Sequence, residues 1–290
     1  MRATILRKSF FAFACVAALP YCLAAMDWPA SDAALVRNFG WNDRGSPVLG
    51  AVFEGDGDAL AVEDGELIFY YPGANAAGRL PSPLGRWAAV DHGDGLISIY
   101  SRLNEATERH PVKIKKSEPL AAAGISGWSN RKGFYFMLYD RRERCWVNPL
   151  MIIAPYPDAR APQIVSVALR DSSGAQVSPA GLWSLSQGRY TITVHAEDTM
   201  LSFMDRPLAP WRIISSVNGV EVGSLSFETI SARGGRLMVG GLAPVRQIYA
   251  PFPAFEAGAV LLNRGQVTLE VIVQDIAGNS RSALIRMYVE

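Results

Sequence analysis

Short apolar runs, each broken by glycine, proline or acidic turn residues, recur along almost the whole chain. Few of them keep the spacing of a helix face, and most alternate apolar and polar positions. Alternation with frequent turn signals predicts an all-β protein. In the first half the runs place strands over 48–53, 59–62, 66–71, 87–90, 96–100 and 134–139. A short helix is predicted over 31–36, with Ser31 or Asp32 as its cap. Beyond residue 162 the runs 163–169, 190–196, 211–217, 225–227, 237–239, 267–274 and 283–289 also read as strands. Asn218-Gly219 between two of them is a hairpin signal, because both residues tolerate the positive φ angles of a type I′ turn. This density of strands predicts an immunoglobulin-like β-sandwich.

The two halves meet at Pro155, Pro157 and Pro162, which cannot sit inside a sheet and favour extended backbone. The expected organisation is therefore a segment 1–25 to be removed, a first unit over 26–154, a linker over 155–162 and the sandwich over 163–290. The first segment has the form of an export signal: Arg2, Arg7 and Lys8, then an apolar stretch over 10–23, then small residues. Cys22 follows a leucine three residues back, but bulky Tyr21 makes it a poor lipid-attachment site. No later run is long enough for a spanning helix, so the chain is expected in the periplasm or cell envelope.

Composition narrows the partners. With 28 basic against 27 acidic residues, the charge balance gives no footprint for nucleic acid. Cys145 is alone once the leader is gone, so the fold stands on its core rather than on a disulfide. A basic neighbour, Arg144, could activate the thiol, yet no histidine is near in sequence and an inert cysteine is expected. His92, His110 and His195 are too scattered to make a site. Glu54, Asp56 and Asp58 read as a polar hairpin tip without the ligand spacing of a calcium loop. Lys113, Lys115 and Lys116 read as a solvated edge, and the aromatics over 249–255 as a cover for one end of the sandwich.

One stretch is more specific. Asp91-His92-Gly93-Asp94-Gly95 is a tight turn, followed by a strand ending in Tyr100-Ser101-Arg102-Leu103. Phe39-Gly40, Ala61-Val62-Glu63-Asp64-Gly65, Gly124-Ile125-Ser126-Gly127 and Asn148-Pro149 stand before and after it. Together these pieces resemble, in order, the lysostaphin/LytM-type zinc endopeptidases of peptidoglycan, over roughly 28–149. The resemblance implies a β-sheet domain, and in the family a zinc ion held by "H-x-x-x-D" and the second His of "H-x-H". It also implies a catalytic His in "Y-x-H-L".

This sequence departs from that pattern at each point. Arg102 stands at the catalytic His. Val48 and Val52 flank the retained Gly50 at the first ligand pair, although a shifted register would offer Glu54 and Asp58. Tyr135 and Met137 occupy the last pair, and a one-residue slip would give Phe134 and Phe136 instead. None is an imidazole, and a thioether suits soft metals rather than Zn²⁺. No catalytic residue, metal ligand or cofactor is therefore expected. Val48, Val52, Tyr100, Arg102, Tyr135 and Met137 are expected to line a groove that binds without cleaving. Arg102 would offer a fixed cation for a carboxylate. The partner implied is peptidoglycan, a cell-wall amidase or another envelope protein. Two alternatives remain at this stage: an active zinc peptidase using Glu54, Asp58 or His92, and a surface adhesin whose sandwich does the binding.

Overall fold

The structure is a computed structural model, and it describes residues 25–43, 45–73, 80–104, 112–179, 184–199, 206–250 and 253–290. Residues 1–24 of the export segment and His110 lie outside the described residues. The regular elements of the described chain are almost all antiparallel strands. The central ladder of the first half runs Arg86–Asp91, Leu96–Leu103 and Gly133–Asp140, with Gly65–Tyr71 outside the first of these. On its other side, Gly133–Asp140 pairs with both Cys145–Val147 and Ala51–Glu54.

The predicted helix over 31–36 is not there. Ala34–Arg37 is a strand paired with Ala51–Glu54. A run of this length cannot settle its own period. An isolated turn of helix is a costly nucleus, while an open strand edge satisfies the backbone directly.

Alternation decides what each strand buries. Phe53, Tyr100, Phe134, Phe136 and Leu138 are fully buried and form one core with Leu35, Ala88 and Val90. Phe53 and Phe134 are cross-strand partners with stacked rings 4.9 Å apart. The opposite face carries Val52 and Tyr135, which pair with each other and pack with Val36 and Val48.

In the second half two four-stranded sheets form a sandwich. One has the order Gln176–Val177, Gln163–Asp171, Gly188–Glu197, Phe255–Leu262. The other has the order Val220–Ser226, Arg212–Val217, Gly265–Gln274, Ser280–Val289. The Asn218-Gly219 turn has φ of 50° and 79° and joins paired Val217 and Val220.

Two strand assignments differ from the sequence reading. Phe255, expected at the end of a covering loop over 249–255, instead opens the strand Phe255–Leu262, which runs along a sandwich edge with Phe255, Ala257 and Leu262 buried. Arg236–Val239 was counted with the sandwich, yet it belongs elsewhere. With Thr229–Arg233 it forms a hairpin that hydrogen-bonds onto Cys145–Val147, extending the sheet of the first half. The two halves accordingly share a core. Phe39, Trp41, Leu49 and Trp146 pack among Phe227, Ile230, Phe255 and other residues of the sandwich side.

Candidate functional site

The groove face is built around Gly50. A Cβ there would meet the Phe136 carbonyl oxygen at 2.0 Å, so only glycine lets this segment cross the strand Gly133–Asp140 closely. That close crossing sets Val48 and Val52 on either side, both buried, against Val36 and Trp41. Tyr135 faces the same side, and its hydroxyl accepts a hydrogen bond from the Leu49 amide at 2.6 Å. Burial pushes the Tyr135 phenol well above its ordinary range, so it remains a neutral group. Met137, two residues along the same strand, is buried near Gly50.

Arg102 reaches this face by an irregularity. Ser101 pairs with Trp87 and Leu103 with Arg86, and the register slips between them. Arg102 sits at the slip with φ 66°, a left-handed conformation that bulky residues seldom adopt. On a regular strand it would share a face with Tyr100. Instead its guanidinium carbon lies 5.2 Å from the centre of the Tyr135 ring. Burial pulls the guanidinium below its ordinary pKa, and the nearby Arg37 acts in the same direction. It remains a cation at any physiological pH.

Five of the six predicted positions, Val48, Val52, Arg102, Tyr135 and Met137, therefore belong to one neighbourhood. Tyr100 does not. It is turned into the core against Phe136, and its hydroxyl accepts from the Val62 amide at 3.0 Å. Phe134 and Phe136, the slipped alternatives, are in that core too.

This donor set does not fit zinc. Val48 and Val52 carry no ligand atom, and Met137 offers only a thioether. The shifted register fares no better. The Glu54 carboxylate is held by Arg131 and Arg206, both at 3.1 Å. His92 is near another sheet edge, where its ring nitrogens meet the Asp64 carbonyl at 2.9 Å and the Ser98 hydroxyl at 2.7 Å. Burial lowers the pKa of His92. Asp56 pairs with Lys132, which makes the 54–58 turn an ion-paired tip. His195 meets Glu197 at 2.8 Å on the sandwich. Burial, with Asp140 and Glu143 nearby, raises the pKa of Cys145, which disfavours the thiolate.

Four residues that no sequence motif marks, together with Glu54 of the shifted register, complete the hollow. Arg37, Asp43, Glu54, Arg131 and Arg206 line a cavity of about 310 Å³ together with Arg102. Trp128 stands at its rim and is 85% exposed. Arg206 comes from the second half, and no local pattern could have placed it there. Among the described residues, one cluster has metal-like spacing: Asp158, Asp198 and Asp275, with ligand atoms within 4.8 Å of one another. It lies where the linker meets the sandwich, remote in sequence from the groove.

A protein-family model matches residues 161–290 and carries no functional description. No curated protein matches the sequence. Among solved structures, the chain is similar to one from the SpoIIQ–SpoIIIAH pore-forming complex, at 19% identity and TM-score 0.36, covering 44% of this chain and 90% of that one. It is also similar to a variant catalytic domain of the prophage-encoded M23 protein EnpA from Enterococcus faecalis, at 18% identity and TM-score 0.35, covering 43% and 95%. A zinc-containing peptidase from Vibrio cholerae matches at 16% identity and TM-score 0.33, covering 47% of this chain and 40% of that one. The structural neighbours of this all-β chain are thus LytM/M23 peptidases and a LytM-like complex, each likeness spanning under half of it.

Proposed function

We propose that this is an exported cell-envelope protein whose LytM-type unit binds and does not cleave. Its role is to recognise or scaffold cell-wall components, or to activate separate cell-wall hydrolases. The observation that carries this reading is the packing of Val48 and Val52 with Val36 and Tyr135, where the resemblance would require metal ligands. A site lined by closed apolar contacts cannot activate water, but it can hold a shape. Envelope location rests on the form of the first 25 residues and on the LytM-type resemblance. Among the described residues no helix is long and apolar enough to cross a membrane.

The test is metal analysis of the purified chain beside a wall-lysis assay, with and without chelator. Substoichiometric zinc and chelator-insensitive absence of lysis are expected. Stoichiometric zinc lost together with lytic activity would overturn the proposal in favour of an active peptidase. Protease treatment of intact cells separates an internal envelope factor, which is protected, from a surface adhesin, which is cut.

A further inference from the structure

The charge pairing around the groove singles out one side chain. Arg37 is paired with Asp43 at 3.1 Å, and Arg131 and Arg206 share Glu54. Arg102 lines the same hollow and makes no ion pair among the described residues; its contact is the face of Tyr135. It is half-buried and rests on the Tyr135 ring, which reduces the side-chain freedom it has to lose on binding. A partly desolvated, preset guanidinium presents a planar fork of donors suited to a carboxylate.

The surroundings discriminate among anions. Asp43 and Glu54 line the same cavity but are already answered by arginines, so what favours an organic acid over phosphate is the apolar ring beside Arg102 rather than charge alone. Four arginines against two carboxylates leave two positive charges in the hollow, and Arg102 is the arginine among them with no carboxylate partner among the described residues, its planar fork matched to a carboxylate. Beside it, Trp128 offers a flat apolar face to this hollow and to an adjoining one of about 340 Å³ that includes Tyr71 and Ser82. The Trp128 loop is braced, because its amide donates to the Pro83 carbonyl at 3.0 Å. Gly85 and Gly127 also touch so closely that a Cβ on Gly85 would lie 2.4 Å from the Gly127 nitrogen.

We propose, building on the binding role argued above, that the groove takes a peptide by its free C-terminal carboxylate. Arg102 holds the carboxylate, and the neighbouring part of the peptide lies on Trp128. The probes are acetyl-Ala-Ala as the free acid, the same dipeptide as its C-terminal amide, and inorganic phosphate. Each is titrated into the whole chain by calorimetry while tryptophan fluorescence is followed.

The acid is expected to bind at least about tenfold more tightly than the amide or phosphate, the scale of one charge-assisted fork. Arg102→Gln should erase the acid-over-amide preference. Trp128→Ala, at an exposed position, should weaken acid and amide alike and remove the fluorescence change while leaving the unfolding midpoint of the chain in place. Equal binding of acid and amide, phosphate binding as tight as the acid, or no binding of the acid to the native chain would each sink the inference. The outcomes stay separable from the broader reading. Zinc-dependent wall lysis defeats the non-catalytic role whatever the titration gives. A zinc-free, non-lytic chain that ignores the acid defeats only the carboxylate site.

Discussion

At the scale of single residues, two positions show how packing and charge set the terms. Gly50 is required by contact rather than by φ: a methyl group there runs into the Phe136 carbonyl. Gly50→Ala should cost about 1–3 kcal/mol or more as the strands are forced apart, read as a lower midpoint in chemical unfolding. Asp198 is the second. Burial, and then the charges of Asp275 and Asp158, push its carboxyl up to about 7. An unfolded aspartate titrates near 3.9. Between these values the folded state binds the extra proton, so this group's contribution to stability is retained at low pH and lost as pH rises through about 7. Asp198→Asn should therefore raise the melting temperature at pH 8 and change it much less at pH 5, as scanning calorimetry would record. A larger gain at pH 5 would contradict that sign.

At the scale of elements, legibility followed alternation. Gly65–Tyr71, Leu96–Leu103 and Gly133–Asp140 lie within a few residues of where their apolar spacing put them. Asn218-Gly219 turned where its chemistry demanded. Phe255–Leu262 hid because Glu256 and Gly258 interrupt its apolar run and two prolines precede it. Arg102 could be picked out by motif, but its swing onto the Tyr135 face depends on a slip against a neighbouring strand. Tyr100 was placed in the groove by the same motif and lies in the core, since alternation outranks motif position once both faces are filled. The hairpin Thr229–Arg233 and Arg236–Val239 gives this scale its prediction. Ser231 sits in a strand paired on both sides, with Cys145 and with Met238. Ser231→Pro removes a ladder hydrogen bond from an interior strand and should cost about 3 kcal/mol or more, measured by urea titration.

At the scale of the whole molecule, specific contacts join the stretches on either side of the linker prolines. The Asn38 side-chain amide pairs with the Ala209 backbone in both directions, each bond 2.8 Å. The Tyr249 hydroxyl donates to the Gly40 carbonyl at 2.7 Å, and the Asn148 side chain donates to the Phe227 carbonyl at 2.9 Å. Phe227 rests on Gly40, where any Cβ would strike its ring. All but the Asn38 pair fall on Gly40 and Asn148, residues that enter the sequence analysis only as marks of resemblance. A single calorimetric transition is expected for the full chain, and residues 25–162 expressed alone should lack a cooperative one. Phe227→Ala should cost about 3–5 kcal/mol and lower that one transition without splitting it; two resolved transitions would show that the halves fold independently.

The hairpin borrowed by the first sheet also bears on portability. The stretch 161–290 that matches a family model contains this hairpin, whose outer edge is satisfied by Cys145–Val147. Moved onto another protein, the sandwich would carry an open strand edge along Thr229–Arg233. Such an edge recruits other chains. A graft of this segment should self-associate unless its new host supplies a strand to close it, so the sandwich is a module only in company.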